Sequence, residues 1–599
     1  MTQTSISYYK SRIILLEQET EKLKRRFKFL FFARIGFFLI SIVSLVWFTT
    51  RPESAWLIAL SVLSFLLFLR AVVVDLKLVK QQKVLSNRLL VNQRELRFLS
   101  YDFDDMDNGE DLSKINPHLA GDFDLFGAHS LFQYLNRSVT KEGRKKLGTC
   151  LCKWSKNEEE ILQKQKAVRE LSKKSEFLEN FQAFGLLNKE VGNEQDKLIK
   201  WLNEPESGVR KLKWLLMLYP FCVFAWVALT IFALLPASSL WLLVGIGWWL
   251  TTRKSKEVQS AHNNLGKSAS IFRLYERLLI QIENENFDAS FLKHQKENLI
   301  NNHKKGASFS LKIFFRLLER FDYRYNLVVG SILNILFLFD LQILYRLEKW
   351  KEAHRALVPR WLEAMNTFDA MIGFARFDFN NQSYLVYPEI ANGDFSIDAK
   401  DVGHPLIPGD ERVCNDLDMQ GQPRILVVTG ANMAGKSTFL RTLAVNLILA
   451  MNGAPVMARF MRFTPCDIMS SINIRDSLSH KASYFYAELT RIREIIDHVQ
   501  SKPRTLVVLD EILRGTNTKD KQAGSIGLLE KMMGLNAVVV IATHDLVIGE
   551  LEQKYPSVVM NHCFEVELNG DELVFDYKLK TGVSKKLNAS FLMKKMGVI

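Results

Sequence analysis

Three short apolar runs near the C-terminus each end in residues that could handle a phosphate group. Residues 424–429 (RILVVT) lead into residues 430–438 (GANMAGKST), which match G-x-x-x-x-G-K-[ST] and precede a helical pattern. Glycines in such a loop let backbone amides wrap around phosphate oxygens, and the helix N-terminus adds positive potential. The pattern predicts a nucleotide-binding loop with these candidate binding residues: Gly430, Asn432, Met433, Gly435, Lys436, Ser437 and Thr438.

A second apolar run, residues 505–509 (TLVVL), ends in two carboxylates, Asp510 and Glu511. A carboxylate at the end of such a strand lies beside the phosphate loop, so we expect Asp510 to hold Mg²⁺ together with the Ser437 hydroxyl. Glu511 is the candidate catalytic base, because it can polarise the water that attacks a γ-phosphate. The pattern therefore predicts ATP and Mg²⁺ as cofactors.

A third apolar run, residues 537–542 (AVVVIA), is followed by Thr543 and His544. His544 is expected to sense or orient the γ-phosphate and is the second candidate catalytic residue; a structural histidine is the alternative. Lys436 would reach the β- and γ-phosphates. Three strands that end in polar groups, with a helix after the first, predict an α/β P-loop domain.

Two pairs of apolar segments precede this domain and predict helical membrane hairpins. The first pair is residues 29–48 and 56–74, with one charge in each segment. The second pair is residues 214–235 and 238–252. A helix needs about 20 apolar residues to cross a bilayer, and the links between the segments are too short for anything but turns. Pairs of buried core helices are the alternative.

Basic residues flank both hairpins on the side away from the turns. By the positive-inside rule, both termini and the region between the hairpins lie in the cytoplasm, so we expect a multi-pass protein of the cell membrane. The net charge of +14 has three explanations: nucleic acid, an anionic membrane face, or no partner. The six cysteines lack metal-site spacing and are expected to be reduced thiols.

Two stretches between these segments are less regular. Residues 101–122 are acidic, contain Gly, Asn and Pro, and are predicted as a linker. Residues 327–347 are a possible fifth span, but they contain Asn334, Asp340 and Gln342, which are costly in lipid. We predict a buried helix of a soluble domain there.

Taken together, the C-terminal motifs resemble those of the MutS family of DNA mismatch-repair ATPases. The loop GANMAGKST is similar to the family's GPNMGGKST, and residues 510–518 (DEILRGTNT) to its DEIGRGTST. Residues 483–489 (SYFYAEL) resemble its STFMVEM signature, and residues 542–545 (ATHD) its ATHY. Residues 124–127 (DLFG) look like the start of the family's helical core, so the resemblance covers roughly residues 120–595.

The resemblance implies an ATPase of the ABC class that forms a homodimer and binds DNA. Ser483 of one subunit would meet the γ-phosphate held by the other, which couples ATP occupancy to dimer closure. The predicted fold class is multi-domain, with α-helical membrane hairpins and an α-helical MutS-like core followed by the α/β P-loop domain. The predicted domains are residues 1–100 with the first hairpin, 101–210 as the first part of the core, 211–256 with the second hairpin, 257–400 as the core and lever region, and 401–599 as the ATPase.

The chain also departs from the family's pattern. A membrane hairpin takes the place of the mismatch-reading N-terminal domain, and residues 258–330 are the candidate for the DNA clamp. Tyr484 replaces the signature threonine, and Arg412 stands where an aromatic residue often stacks on adenine. Several basic residues could touch DNA phosphates or simply form solvated helix faces: Lys293, Lys296, His303, Lys304 and Lys305.

Two classes of function remain open. The first is a MutS-like ATPase, anchored at the cytoplasmic face of a membrane, that binds mismatched or branched DNA in DNA repair. The second is a membrane ATPase of the ABC class that acts on a protein or lipid partner without DNA. A third idea, half of an ABC transporter, is weakened by the absence of an LSGGQ-type signature.

Overall fold

The computed structural model describes residues 2–188, 193–265, 269–300, 306–421, 424–473, 484–502, 504–569 and 572–584. Its first part is α-helical and its C-terminal part is an α/β region, which confirms the predicted order. The helices of the first part are α1 (Thr2–Thr50), α2 (Ala55–Leu99), α3 (Pro117–Asp122), α4 (Leu131–Leu135), α5 (Lys141–Cys152), α6 (Glu158–Lys173), α7 (Ser175–Gly185), α8 (Glu194–Asn203), α9 (Lys213–Ile231), α10 (Leu240–Arg253), α11 (Ser255–Leu265), α12 (Ala269–Asn284), α13 (Ser290–Glu297), α14 (Ala307–Phe321), α15 (Leu327–Phe337), α16 (Phe339–His354) and α17 (Val358–Asn381).

The first two helices form a long antiparallel hairpin that continues well beyond its apolar segments. Near the turn, the Ser61 hydroxyl donates to the carbonyl oxygen of Ser41 at 2.9 Å. Further down, Arg34 Nη1 lies 2.6 Å from Asp75 Oδ2. Most apolar side chains around these contacts point outward and are exposed. Both helices are long and apolar enough to cross a membrane.

Two buried carboxylates tie the lower half of this hairpin to the helical core. Glu95 of α2 accepts both arms of the Arg137 guanidinium, at 2.8 and 3.1 Å. Glu179 of α7 pairs with Arg12 of α1 at 2.9 Å and also with Arg88 of α2. Both carboxylate side chains are only 1% exposed. Because a buried charge is destabilising without its partner, the hairpin and the core are held as one unit.

The second apolar region differs from the predicted hairpin. Residues 209–231, which include α9, are long enough to cross a membrane. The returning helix α10 has only 14 residues, about 21 Å at 1.5 Å per residue, which is short of a hydrocarbon core of about 30 Å. Tyr219 of α9 donates to the carbonyl oxygen of Ile335 in α15 at 2.8 Å. A third helix therefore joins this apolar cluster.

The prediction of one buried helix over residues 327–347 is wrong. The helix breaks at Leu338, whose φ of 49° lies in the left-handed region, and α15 and α16 are bent by 74°. α15 packs beside α9 and α10 and exposes apolar side chains such as Val328 and Ile332, whereas α16 lies in the core. Together the bent pair forms a possible fourth span beside the three helices of spanning length in the described part of the chain.

Residues 101–122 are not a free linker. Phe103, Leu112 and Leu119 are buried in the helical core, and residues 110–115 form a short 3₁₀ helix. The segment precedes a core built around α17, which is buried along nearly its whole length. Because α17 ends just before the first strand, it connects the helical core to the α/β region.

The C-terminal region contains a six-stranded sheet with the order β12-β11-β5-β10-β9-β8, in which all neighbours are parallel except the β11–β12 pair. The same region also contains a four-stranded sheet, with the order β2-β7-β3-β4, and a two-stranded sheet formed by β1 and β6. The strands are β1 (Leu385–Val386), β2 (Glu389–Ile390), β3 (Ser396–Val402), β4 (Asn415–Gln420), β5 (Ile425–Gly430), β6 (Val456–Met457), β7 (Phe460–Phe463), β8 (Asp467–Ser471), β9 (Thr505–Asp510), β10 (Val538–Thr543), β11 (Val559–Asn569) and β12 (Glu572–Thr581). The helices are α18 (Lys436–Met451), α19 (Tyr484–Ser501), α20 (Thr518–Gly534) and α21 (Leu551–Lys554).

Candidate nucleotide site

The three apolar runs predicted as strands are β5, β9 and β10, and every residue of each is buried. They are neighbours in the sheet, with β10 in the middle and parallel to both others. In register, Thr543 lies opposite Thr429, and Ala542 opposite Asp510. The carboxyl ends of the three strands therefore meet at one edge, and they bring together the polar residues that follow them.

The glycine-rich loop, residues 430–438, follows β5 and turns tightly into α18. Gly430 has a φ of 152°, and a Cβ built there would lie 2.7 Å from the carbonyl oxygen of Phe564. Gly435 has a φ of 104°, which favours glycine. Met433 adopts a φ of 69° with its side chain 74% exposed, and Asn432 is also exposed. The backbone of the loop thus adopts a conformation that favours glycine at Gly430 and Gly435.

Lys436 is the first residue of α18 and is nearly buried, at 5% exposure. Its ammonium donates to the carbonyl oxygens of Gly430, at 2.8 Å, and Ala431, at 2.9 Å. Burial lowers the pKa of Lys436, and the nearby charges of Glu511 and Asp510 oppose that change. The ammonium is held over the mouth of the loop by weak neutral acceptors, which a phosphate oxygen could replace.

The next residue, Ser437, meets the end of β9. Its hydroxyl lies 2.5 Å from Asp510 Oδ2. Burial raises the pKa of Asp510, which the hydrogen bond from Ser437 and the charge of Arg514 partly offset. One hydroxyl and one carboxylate make an oxygen donor set, which suits Mg²⁺ when substrate phosphates supply further ligands. No group of three or more His, Cys, Asp or Glu residues suited to a metal occurs in the described residues.

Glu511 follows Asp510 and is oriented from two sides. His544 Nδ1, after β10, lies 3.2 Å from Glu511 Oε1, and Arg514 Nε lies 3.6 Å from Oε2. Burial alone would raise the pKa of Glu511, but the hydrogen bond and charge of His544 outweigh it, so that the pKa is lowered. The φ of Glu511 is 48°, and its amide donates to the carbonyl oxygen of Ala542 at 2.9 Å. The carboxylate is therefore ionised, fixed and available to accept a proton.

The sequence alone did not point to Glu488, which shapes the turn after Glu511. Glu488 of α19 is 1% exposed, and its carboxylate accepts from the amides of Leu513, at 2.5 Å, and Arg514, at 3.2 Å. Leu513 has a φ of 60°, an unusual value for leucine. Glu488 lies within the segment similar to the family's STFMVEM signature, which could have drawn attention to it. It holds the turn that follows Glu511.

The loop and the carboxylates line a cavity of about 490 Å³, a size suited to a small-molecule ligand. Its far wall contains residues to which no role was assigned from sequence, including Ile407, Val413, Phe564 and Tyr577. Burial lowers the pKa of His404, in the same wall, to about 4, so its ring is neutral. These apolar and neutral groups give the cavity a region suited to a nucleobase.

Arg412 does not reach into this cavity. Its guanidinium lies over the Tyr384 ring and donates to the carbonyl oxygen of Ile407 and, at 2.9 Å, to the hydroxyl of Tyr101. Tyr101 lies two residues after the end of α2, so Arg412 connects this part of the chain to the base of the α1–α2 hairpin. These contacts of Arg412 hold residues 404–413 in place on the side away from the cavity.

All but one of the predicted site residues meet around this cavity. Asn432, Met433, Gly435, Lys436, Ser437, Thr438, Asp510 and Glu511 line it, while Gly430 and His544 contact lining residues. The exception is Ser483, which lies outside the described residues.

Comparison with known proteins finds relatives of the region that contains this cavity. The family model of MutS domain V matches residues 426–594. The DNA mismatch repair protein MutS of Lachnoclostridium phytofermentans is 32% identical over 250 residues, which are 40% of this chain and 26% of that protein. The chain thus spans about a quarter of the length of that relative. Residues 426–594 are therefore similar to domain V of the MutS family.

Proposed function

We propose that this protein is a membrane-anchored, MutS-like ATPase of the ABC class, which binds ATP with Mg²⁺ and hydrolyses it. One observation carries the proposal: the ends of β5, β9 and β10 bring Lys436, the Ser437–Asp510 pair and the Glu511–His544 pair to one cavity. That combination has a cation for phosphate, oxygen donors for a hard metal and an ionised base.

Each residue has a defined task in this proposal. Lys436 exchanges its two carbonyl partners for phosphate oxygens, which are stronger acceptors. Ser437 and Asp510 hold Mg²⁺, which neutralises charge on the phosphates. Glu511 accepts a proton from the attacking water, whose oxygen bonds to the γ-phosphorus while the bond to the bridging oxygen of ADP breaks. His544 keeps the Glu511 carboxylate ionised and oriented.

Dimer formation completes the site in this proposal. The segment that precedes α19 carries Ser483, and by family resemblance it meets the γ-phosphate held by the partner subunit. ATP would then favour the closed dimer, and hydrolysis would release it. The nucleotide domain in this proposal covers residues 401–599, as the sequence predicts.

The membrane anchor consists of the α1–α2 hairpin and the α9–α10–α15 cluster. Three helices of spanning length and outward apolar surfaces support this part of the proposal. Both termini and the ATPase face the cytoplasm, where ATP is available. The buried pairs of Glu95 and Glu179 transmit movement between hairpin and core, because neither carboxylate can leave its arginine partners without a large cost.

DNA, mismatched or branched, is the partner that the family resemblance suggests. One observation favours the alternative, a membrane ATPase that acts on protein or lipid. The segment weighed as a DNA clamp, residues 258–330, contains α12, which packs against α7 and shares a cavity with the membrane hairpin. Lys296, one of the candidate phosphate contacts, donates instead to the carbonyl oxygen of Glu285 at 2.7 Å. His303, Lys304 and Lys305 lie outside the described residues.

Hydrolysis is tested by the Glu511→Gln variant of the full chain in detergent. ATP turnover should fall at least about 10²-fold, the usual contribution of a general base, while ATP and Mg²⁺ stay bound and the dimer fraction rises. Glu552→Gln, in a carboxylate that binds Asn561 away from the cavity, is the matched control. Unchanged turnover in Glu511→Gln contradicts the assignment of the base.

A salt titration separates the two partners. Binding to mismatched or branched duplexes that weakens linearly in log–log form with salt supports DNA as the partner. Absence of binding at low salt supports the membrane ATPase without DNA.

A further inference from the structure

We infer that the cavity at the base of the first hairpin binds the headgroup of an anionic phospholipid. This hairpin cavity has a volume of about 720 Å³ and lies between α1, α2 and α12, with Phe184 of α7 at its edge. It is separate from the nucleotide cavity, with which it shares no lining residue. The inference rests on the membrane anchoring in the proposed function.

The hairpin cavity carries an uncompensated positive charge. Lys22, Arg26, Lys80 and Arg277 line it and have no ion pair within the described part of the chain. A fifth cation, Arg88, is neutralised by Glu179, and among the described lining residues the only acidic one is Glu19. Burial and the neighbouring Arg273 lower the pKa of Arg277, and the charge of Glu276 opposes that change. A phosphate would supply an ion-pair partner for these cations.

The remaining walls are mostly apolar apart from Gln81 and Gln281, which favours an amphiphile over a free phosphate ion. Leu23 of α1, Val84 and Leu85 of α2, Phe184 and Ile280 form these walls. A small inorganic anion would leave these apolar side chains exposed to water, whereas the glycerol and upper acyl carbons of a phospholipid would cover them. The combination of several cations with an apolar wall therefore matches a phospholipid better than phosphate alone.

Its depth along the hairpin fits the headgroup layer. Arg26 lies three residues before the apolar segment that begins at residue 29, and Lys80 lies six residues after the segment that ends at residue 74, so the cavity is about 4.5–9 Å from these segments along the helices. The polar layer on each side of a bilayer is about 5–8 Å thick. In the proposed orientation, the cavity therefore opens at the level of the lipid phosphates on the cytoplasmic side.

The test measures retained lipid on the full chain, purified in detergent with equal amounts of phosphatidylglycerol and phosphatidylcholine. The Arg26→Gln/Lys80→Gln variant removes two cavity cations. Its control, Arg25→Gln/Lys77→Gln, removes two exposed cations from the same helices, outside the cavity. Arg277→Gln removes a cation from α12, away from the hairpin itself. Each preparation is also assayed for carbonate-resistant membrane attachment and for ATP binding.

We expect the wild type to retain about one phosphatidylglycerol per chain in preference to phosphatidylcholine. The affinity should fall about 30-fold in Arg26→Gln/Lys80→Gln and about fivefold in Arg277→Gln, since each cation near a lipid surface contributes about fivefold. The control variant should retain lipid as the wild type does. Equal loss in the control, or no preference for phosphatidylglycerol, overturns the inference in favour of general surface attraction.

Soluble glycerol phosphate distinguishes the two sources of the phosphate. Displacement of the lipid only at large molar excess supports the phospholipid; equally tight binding of glycerol phosphate overturns it. A protein that attaches to membranes and binds ATP but shows no lipid preference refutes only this inference. A protein that washes off membranes refutes the proposed anchoring, and the lipid inference falls with it.

Discussion

Substitution of Glu488 tests how the turn after the candidate base Glu511 is positioned, because Glu488 contacts neither nucleotide nor metal in the proposed site. Its carboxylate accepts from two backbone amides, those of Leu513 and Arg514, in the turn that follows Glu511. Glu488→Gln keeps one acceptor and places an NH₂ group against the other amide. A buried donor without an acceptor costs about 1–3 kcal/mol.

That energy sets the size of the expected effect. If the turn relaxes and displaces Glu511, the whole cost appears in the barrier to hydrolysis, and kcat falls about 5- to 150-fold at about 1.4 kcal/mol per factor of ten. The affinity for ATP should change less than about twofold, since Glu488 does not line the cavity. Separate measurement of steady-state kcat and equilibrium ATP binding resolves the two effects.

Glu494→Gln is the control for this experiment. Glu494 lies on the same helix, is 51% exposed and pairs with Arg491, so its loss should leave both kcat and ATP affinity unchanged. The reasoning is refuted if Glu488→Gln lowers the melting temperature but keeps the wild-type kcat. Glu488 would then stabilise the fold without positioning the base.

Three further predictions follow from buried groups. Burial lowers the pKa of His404 to about 4, whereas an unfolded histidine titrates near 6.5. The free energy of unfolding should therefore be at its full value above about pH 6.5 and fall by about 3 kcal/mol as the pH drops to 4. In denaturant unfolding, the free energy of unfolding of His404→Gln should depend less on pH. Asp510→Asn should stabilise the nucleotide-free protein by about 0.5–2 kcal/mol in thermal unfolding, since burial disfavours the charged form, and should abolish Mg²⁺-dependent ATP binding; a destabilised variant would contradict this. Glu95→Gln leaves Arg137 and Arg376 without their buried counter-charge and should destabilise the helical core by about 3–5 kcal/mol, whereas Glu53→Gln in the exposed hairpin turn should not.

The strand ends were the most predictable part of the fold. The three apolar runs fall within one residue of β5, β9 and β10, because fully buried parallel strands need continuous apolar sequence and the polar residues that follow mark their ends. The proximity of Ser437 and Asp510 followed from the same logic. Neighbouring parallel strands present their carboxyl ends at one edge, so residues far apart in sequence were expected to meet there.

The features that were missed depend on tertiary contacts. Nothing in the local sequence marks Leu338 as the left-handed residue that breaks the helix between α15 and α16, since such residues are usually glycine. Arg412 was placed near adenine by its position in the motif, yet its partners Tyr101 and Tyr384 come from other parts of the chain. Glu488 is a polar residue on a helix, and only the turn packed against it reveals what it does.

The length of the first hairpin also escaped prediction in part. The apolar segments mark where the helices could meet lipid. Beyond those segments, α1 extends back to residue 2 and α2 extends on to residue 99, because one face of each helix is buried against the core. Such amphipathic extensions lack a strong apolar signal. Their attachment through Glu95 and Glu179 could be read only from the folded chain.

The central claim is that Lys436, at the start of α18, grips the phosphates of ATP in the cavity at the ends of β5, β9 and β10. Equilibrium binding of ATP to the full chain in detergent, with Mg²⁺, tests it most directly. We predict saturable binding of one ATP per chain in the wild type and in Lys554→Ala, an exposed lysine outside the cavity. Lys436→Ala should lose that binding, and a wild-type protein that retains no ATP, or a Lys436→Ala variant that binds ATP as tightly as the wild type, would contradict the account.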